Sequence, residues 1–84
     1  MRSPRVTLYS RPDCHLCDEA RAGLESLLAD GVEFELEEVD IDSDDRLLAA
    51  FLERIPVVEL DGEIASELAL DLTSLRAKLA TVSR

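Results

Sequence analysis

The chain has no tryptophan, one tyrosine and two phenylalanines among its 84 residues, so any core it forms must be aliphatic. Cations are scarce too. Nine lysines and arginines face nineteen aspartates and glutamates, a formal net charge of −10. A surface of that sign repels phosphate backbones and anionic headgroups, which argues against nucleic acid and membranes as partners. It also keeps a small protein soluble. Long apolar runs are missing. Arg2 and Arg5 imitate the basic start of a secretory signal, but Val6 to Tyr9 is far too short for its apolar segment. A cytoplasmic location is therefore expected. Histidine occurs once and cysteine only twice. In a reducing compartment a close cysteine pair is more often catalytic or metal-binding than structural.

What remains supports one folded unit. Apolar residues make up 46% of the chain, enough for a packed core rather than a disordered tail. The length suits a single domain spanning residues 1–84, with a small core and a stability of about 5 kcal/mol. No repeat, low-complexity segment or linker divides it.

Val6, Leu8 and Tyr9, with Thr7 between them, read as a short strand that Ser10 to Asp13 breaks. A helix then fits from about Cys14 to Asp30, with Asp13 as its cap and Gly31 as a left-handed stop. Leu16, Ala20, Leu24, Leu27 and Leu28 recur at helical spacing and form its expected core stripe. Gly23, inside that helix, lowers its propensity by ~1 kcal/mol relative to alanine and is explained if it packs closely on a sheet. Val32, Phe34 and Leu36 alternate with glutamates, as a half-buried edge strand does. The phase slips at Glu38, which predicts a bulge or a strand end there. Ser43 is the expected cap of a short helix over Asp44 to Arg54 with Leu47, Leu48 and Phe51 inward, and Pro56 ends it. Val57 to Leu60 and Glu63 to Ala65 read as a hairpin closed by Asp61-Gly62. Leu72, Leu75, Leu79 and Val82 mark a last helix, capped by Asp71. The order β-α-β-α-β-β-α predicts an α/β fold: a parallel opening pair, an antiparallel closing hairpin, and a four-stranded mixed sheet flanked by three helices.

The chemistry lies in "YSRPDCHLCD", Tyr9 to Asp18. Two cysteines at this spacing can ligate a metal, staple a loop or exchange electrons. At a helix start, unpaired backbone N–H groups and the helix dipole stabilise a Cys14 thiolate, the species that attacks disulfides. Arg11 adds positive charge nearby, while Asp13, Asp18 and Glu19 oppose it. Cys17 lies one turn further in on the same helix face and precedes the inward stripe, so it is the more buried sulfur. Cys14 then attacks and Cys17 resolves. His15 either stabilises the thiolate when protonated or is an exposed insert residue. Zinc normally takes four ligands in a structural site, and this stretch offers Cys14, Cys17 and a histidine on another face. A permanent staple here closes too small a loop to stabilise much.

These residues resemble the glutaredoxin-like branch of the thioredoxin-fold family. "VTLYSRPDCHLC" is similar to its first strand and redox loop, and "RIPVVELDG" to the strand that begins at its cis-proline. The resemblance implies that Cys14 is the nucleophile and Cys17 the resolving thiol. It places Arg11 where many glutaredoxins carry a glutathione-contacting lysine. It also implies a cis Ile55-Pro56 bond beside the cysteines, with the Ile55 backbone meeting an extended substrate. Three departures stand out. His15-Leu16 replaces the usual Pro-Tyr insert, Ser66 and Glu67 replace a Gly-Gly pair, and Asp71 is one residue from the family's aspartate.

The function implied is a monomeric cytoplasmic thiol–disulfide oxidoreductase acting on protein or small-molecule disulfides, with no tightly bound cofactor. Its electron donor is glutathione or a thioredoxin-type reductase. The alternative is a non-enzymatic adaptor that keeps the fold and docks a basic partner on its acidic face.

Overall fold

The computed structural model describes residues 3–82, with Val82 defined by its backbone alone. The readings made for Arg2 and for the Val82 side chain lie outside the described residues. The elements are β1 (Arg5–Ser10), α1 (His15–Ala29), β2 (Glu35–Asp40), a 3-10 turn (Ile41–Ser43), α2 (Asp45–Phe51), β3 (Val57–Leu60), β4 (Glu63–Glu67) and α3 (Leu72–Val82). They form one sheet in the order β2-β1-β3-β4. β1 runs parallel to β2 and antiparallel to β3, which pairs antiparallel with β4. The expected mixed sheet and its three helices are therefore present, with β2 at an edge.

The pleat of β1 sorts the core. Val6 and Leu8 point to one face, Thr7 and Tyr9 to the other. On the first face they meet Ala20, Leu24 and Leu27 of α1 and Leu75 and Leu79 of α3, with Phe34 and Val58 completing the cluster. Each fully buried leucine there contributes about 1.5–3 kcal/mol. On the second face α2 covers a smaller cluster of Ile41, Phe51 and Val57, flanked by Tyr9, Leu47, Leu48 and Ile55. The Tyr9 and Phe51 ring centroids are 4.8 Å apart. The rest of that face is a shallow concavity lined in part by Arg5, Thr7, Glu35, Glu37 and Glu59.

Several local expectations are corrected. Leu16 and Leu28 are exposed rather than core. The buried stripe of α1 is Cys17, Ala20, Leu24 and Leu27, and the two excluded leucines each sit about 100° around the helix from it. Gly23 faces α3 and not the sheet: a Cβ there would meet the Leu72 side chain at 3.1 Å. The second strand starts at Glu35 and continues through Glu38 in unbroken register with β1. No bulge forms at the phase slip, because apolar side chains of β2 point to both faces: Leu36 lies opposite Val6, on the α1 side, and Val39 opposite Tyr9, on the other. The irregularity falls instead in the β3–β4 pair, at Val58/Glu59. The second helix stops at Phe51 and is capped by Asp44, whose carboxylate accepts the Arg46 N–H at 2.8 Å. Ser43 belongs to the preceding turn and donates to the Asp40 carbonyl.

Other local readings hold. Asp61 and Gly62 both have positive φ, 51° and 89°, as the tight hairpin turn requires. Asp71 caps α3, accepting the Ser74 N–H at 3.1 Å.

Candidate active site

The topology gathers four chain ends at one end of the sheet. β1 and β2 finish there, β3 begins there with Val57 opposite Tyr9, and β4 finishes there with Glu67 opposite Val57. The loop from β1 into α1 carries the cysteines. Asp13 does not cap the helix. It turns the chain at φ 62°, a left-handed conformation that aspartate tolerates. Cys14 is the cap instead, and its Sγ accepts the backbone N–H of Cys17 at 3.1 Å.

Cys14 is partly exposed and Cys17 is fully buried. The two sulfurs are joined as a disulfide, with Cα atoms 5.2 Å apart. On reduction, the N–H that now meets Cys14 Sγ, together with the dipole of α1, stabilises a thiolate at Cys14.

The remaining candidate residues are placed as follows. Arg11 bonds Asp42 through Nε at 2.8 Å, tying the redox loop to the turn after β2. His15 is largely exposed and pairs with Glu19 at 2.7 Å, one turn along α1. The Ile55-Pro56 bond is cis, and Pro56 is buried. The Ile55 N–H is taken by the Phe51 carbonyl at 3.1 Å. Among the described residues no group of three or more His, Cys, Asp or Glu side chains is arranged to hold a metal ion. Among them, too, no helix is long and apolar enough to cross a membrane.

Two charged networks at this end of the sheet were not foreseen. In one, Arg21 on α1 donates to Glu38 and, at 2.9 Å, to Asp18, while the buried Ser10 hydroxyl donates to Glu38 at 2.7 Å. The Arg21 guanidinium holds the Glu38 carboxyl below its ordinary value; burial opposes it, and the Ser10 hydroxyl adds a smaller lowering effect. Its signal was the phase slip at Glu38, where an acid occupies a position that faces a helix. In the other, Arg54 donates twice to Glu67, at 2.9 and 2.6 Å, across the entrance to β3. This pairing lowers the Glu67 pKa and raises that of Arg54. No spacing rule links residues thirteen apart on different elements.

A parallel pair, an antiparallel hairpin, a Cys-x-x-C pair opening the first helix and a cis-proline opening the third strand together define a thioredoxin-like fold. A thioredoxin from Halobacterium salinarum superposes on 99% of this chain and 77% of its own, with a TM-score of 0.72 at 19% identity, which speaks to fold alone. The family model described as Glutaredoxin-like domain (DUF836) matches residues 5–80, and the chain belongs to that family. Protein Ne2328 from Nitrosomonas europaea is similar, with 29% identity, 93% of each chain covered and a TM-score of 0.78. So is the structural-genomics target protein XcR50 from X. campestris, with 36% identity over 92% of this chain and 97% of that one, at a TM-score of 0.73. No curated protein matches the chain significantly.

Proposed function

We propose that this protein is a thiol–disulfide oxidoreductase that works by the dithiol route. The observation that carries this reading is the placement of Cys14 as the partly exposed cap of α1, in contact with the N–H of the buried Cys17. The Cys14 thiolate attacks one sulfur of a substrate disulfide. A Cys14–substrate bond forms, the substrate's S–S bond breaks, and the departing thiolate takes a proton from water. Cys17 then gives up its proton to water and attacks Cys14 Sγ. The Cys14–Cys17 disulfide forms and the second product leaves as a thiol. Two electrons have passed to the substrate, and an external thiol or a thioredoxin-type reductase restores the pair. The reading fits a monomer acting in a reducing compartment such as the cytoplasm, on disulfides of proteins or small molecules.

The test is disulfide-reductase turnover of the native protein, Cys14→Ser and Cys17→Ser. Cys14→Ser is expected to abolish turnover, and Cys17→Ser to accumulate a mixed disulfide on Cys14. Full activity in Cys14→Ser would refute the assignment.

The acidic concavity around Glu35, Glu37 and Glu59 favours a second reading, an adaptor that docks a basic partner. It predicts salt-sensitive capture of such a partner together with negligible turnover on generic disulfides.

A further inference from the structure

At the cysteine end of the sheet the charged side chains are largely paired with one another. Among the described residues, the basic side chains on the redox loop, on the first two turns of α1 and on the segment leading into Pro56 are Arg11, His15, Arg21 and Arg54. Each is already held by an acid: Arg11 by Asp42, His15 by Glu19, Arg21 by Asp18 and Glu38, Arg54 by Glu67. Asp13, next to the nucleophile, has no cationic partner among the described residues. An incoming carboxylate therefore finds no free cation. To reach one it must displace an acid that stays tethered alongside, and the two like charges then share the site.

The apolar surface there has the opposite character. Leu16, two residues past Cys14, is 48% exposed, and Leu68, at the end of β4 beyond Glu67, is 55% exposed. Leu68 is held at φ 68° in a three-residue turn closed by the Ala69 N–H on the Glu67 carbonyl at 2.7 Å. A leucine rarely adopts that conformation. Its backbone is further pinned by the Leu68 N–H donating to the Arg54 carbonyl at 2.9 Å. A strained backbone thus holds a large apolar side chain in solvent, beside the same Arg54–Glu67 pair that excludes carboxylates.

We infer that the site takes polypeptide disulfides whose flanking residues are apolar or cationic, and discriminates against small acidic disulfides such as that of glutathione. The residues present do not fit glutathione. Its carboxylates meet neutralised arginines and the fixed Glu67 carboxylate. Glu67, with its partner Arg54, and Leu68 are the specificity-determining positions. This inference rests on the dithiol reading above.

The test compares kcat/KM for three substrates, with dithiothreitol as the reductant: a neutral small disulfide (bis-hydroxyethyl disulfide), glutathione disulfide, and a synthetic peptide disulfide flanked by leucine and lysine. The native protein is expected to favour the peptide over glutathione disulfide by at least ~10-fold, a preference that shrinks as salt is raised. Glu67→Gln frees Arg54 and should raise the ratio of glutathione disulfide to neutral disulfide several-fold. Leu68→Asn keeps a residue that tolerates positive φ and should lower the ratio of peptide to neutral disulfide. Turnover of the neutral disulfide without these preferences would overturn the inference and leave the dithiol reading standing. No turnover on any of the three would overturn both.

Discussion

The Ser10 hydroxyl donates to the Glu38 carboxylate across 2.7 Å, joining the last residue of β1 to the fourth residue of β2. Ser10 is buried, whereas Glu38 and Arg21 are each about one-third exposed at the side chain (35% and 34%). Ser10→Ala should destabilise the fold by about 0.5–1.5 kcal/mol in urea unfolding. A double-mutant cycle on Arg21 and Glu38 should return a coupling below ~1 kcal/mol, since solvent screens the pair.

Acid should weaken the protein from this corner and its two counterparts. Glu38, Glu67 and Asp71 all have folded-state pKa values below their ordinary ones, caused first by Arg21, Arg54 and the Ser74 backbone N–H respectively. A lowered folded pKa means the unfolded chain binds the proton first. The stabilisation is therefore complete above the ordinary carboxylate range of about 4 and is lost as pH falls through the lower folded values. Thermal melts should hold a plateau near neutrality and drop below about pH 4, and Glu38→Gln should flatten that drop.

Tyr9 is the only tyrosine and the chain has no tryptophan, so ultraviolet absorbance reports this one phenol. Burial, then the hydrogen bond to Glu59 at 3.0 Å, raises its pKa above the usual value of about 10. Here the sign reverses. The folded state holds the proton more tightly, so the stabilisation is present below about pH 10 and lost as pH rises through the folded pKa. An alkaline titration should show a midpoint above 10, and Glu59→Gln should bring it down. A midpoint unchanged by that substitution would refute the assignment.

Gly23 leaves room for Leu72 between α1 and α3. Gly23→Leu gains helix propensity but forces the two helices apart, and should cost about 1–3 kcal/mol of stability in denaturant titration.

The order of elements was legible because each apolar period sits between breakers: Ser10 to Asp13, Gly31, Pro56, and Asp61-Gly62. The cysteine pair was legible because its spacing and its placement at a helix start carry their own chemistry. Local detail was less so. Asp13 looks like a cap, and Cys14 takes that role because the left-handed turn at Asp13 rotates its carboxylate out of position. Glu38 looks like a strand end, yet the strand runs on to Asp40 in register with β1, its apolar residues divided between the two faces. Arg54 and Glu67 meet only through the antiparallel return of β4, and nothing in their sequence separation announces it. The polar surroundings of the site are thus a product of tertiary placement.

The strand order also acts as a ruler. Neighbouring strands lie about 4.8 Å apart, so the chain at Glu67, two strands from β1, is roughly 10 Å from the line of the redox loop. An extended polypeptide advances about 3.3 Å per residue. A substrate crossing the end of the sheet over Pro56 would therefore bring its third residue from the reacting cysteine level with Glu67 and Leu68. Sequence preference should reach beyond the residues next to the target cysteine and be sharpest at that third position, so that the pitch of the sheet sets where a partner is read.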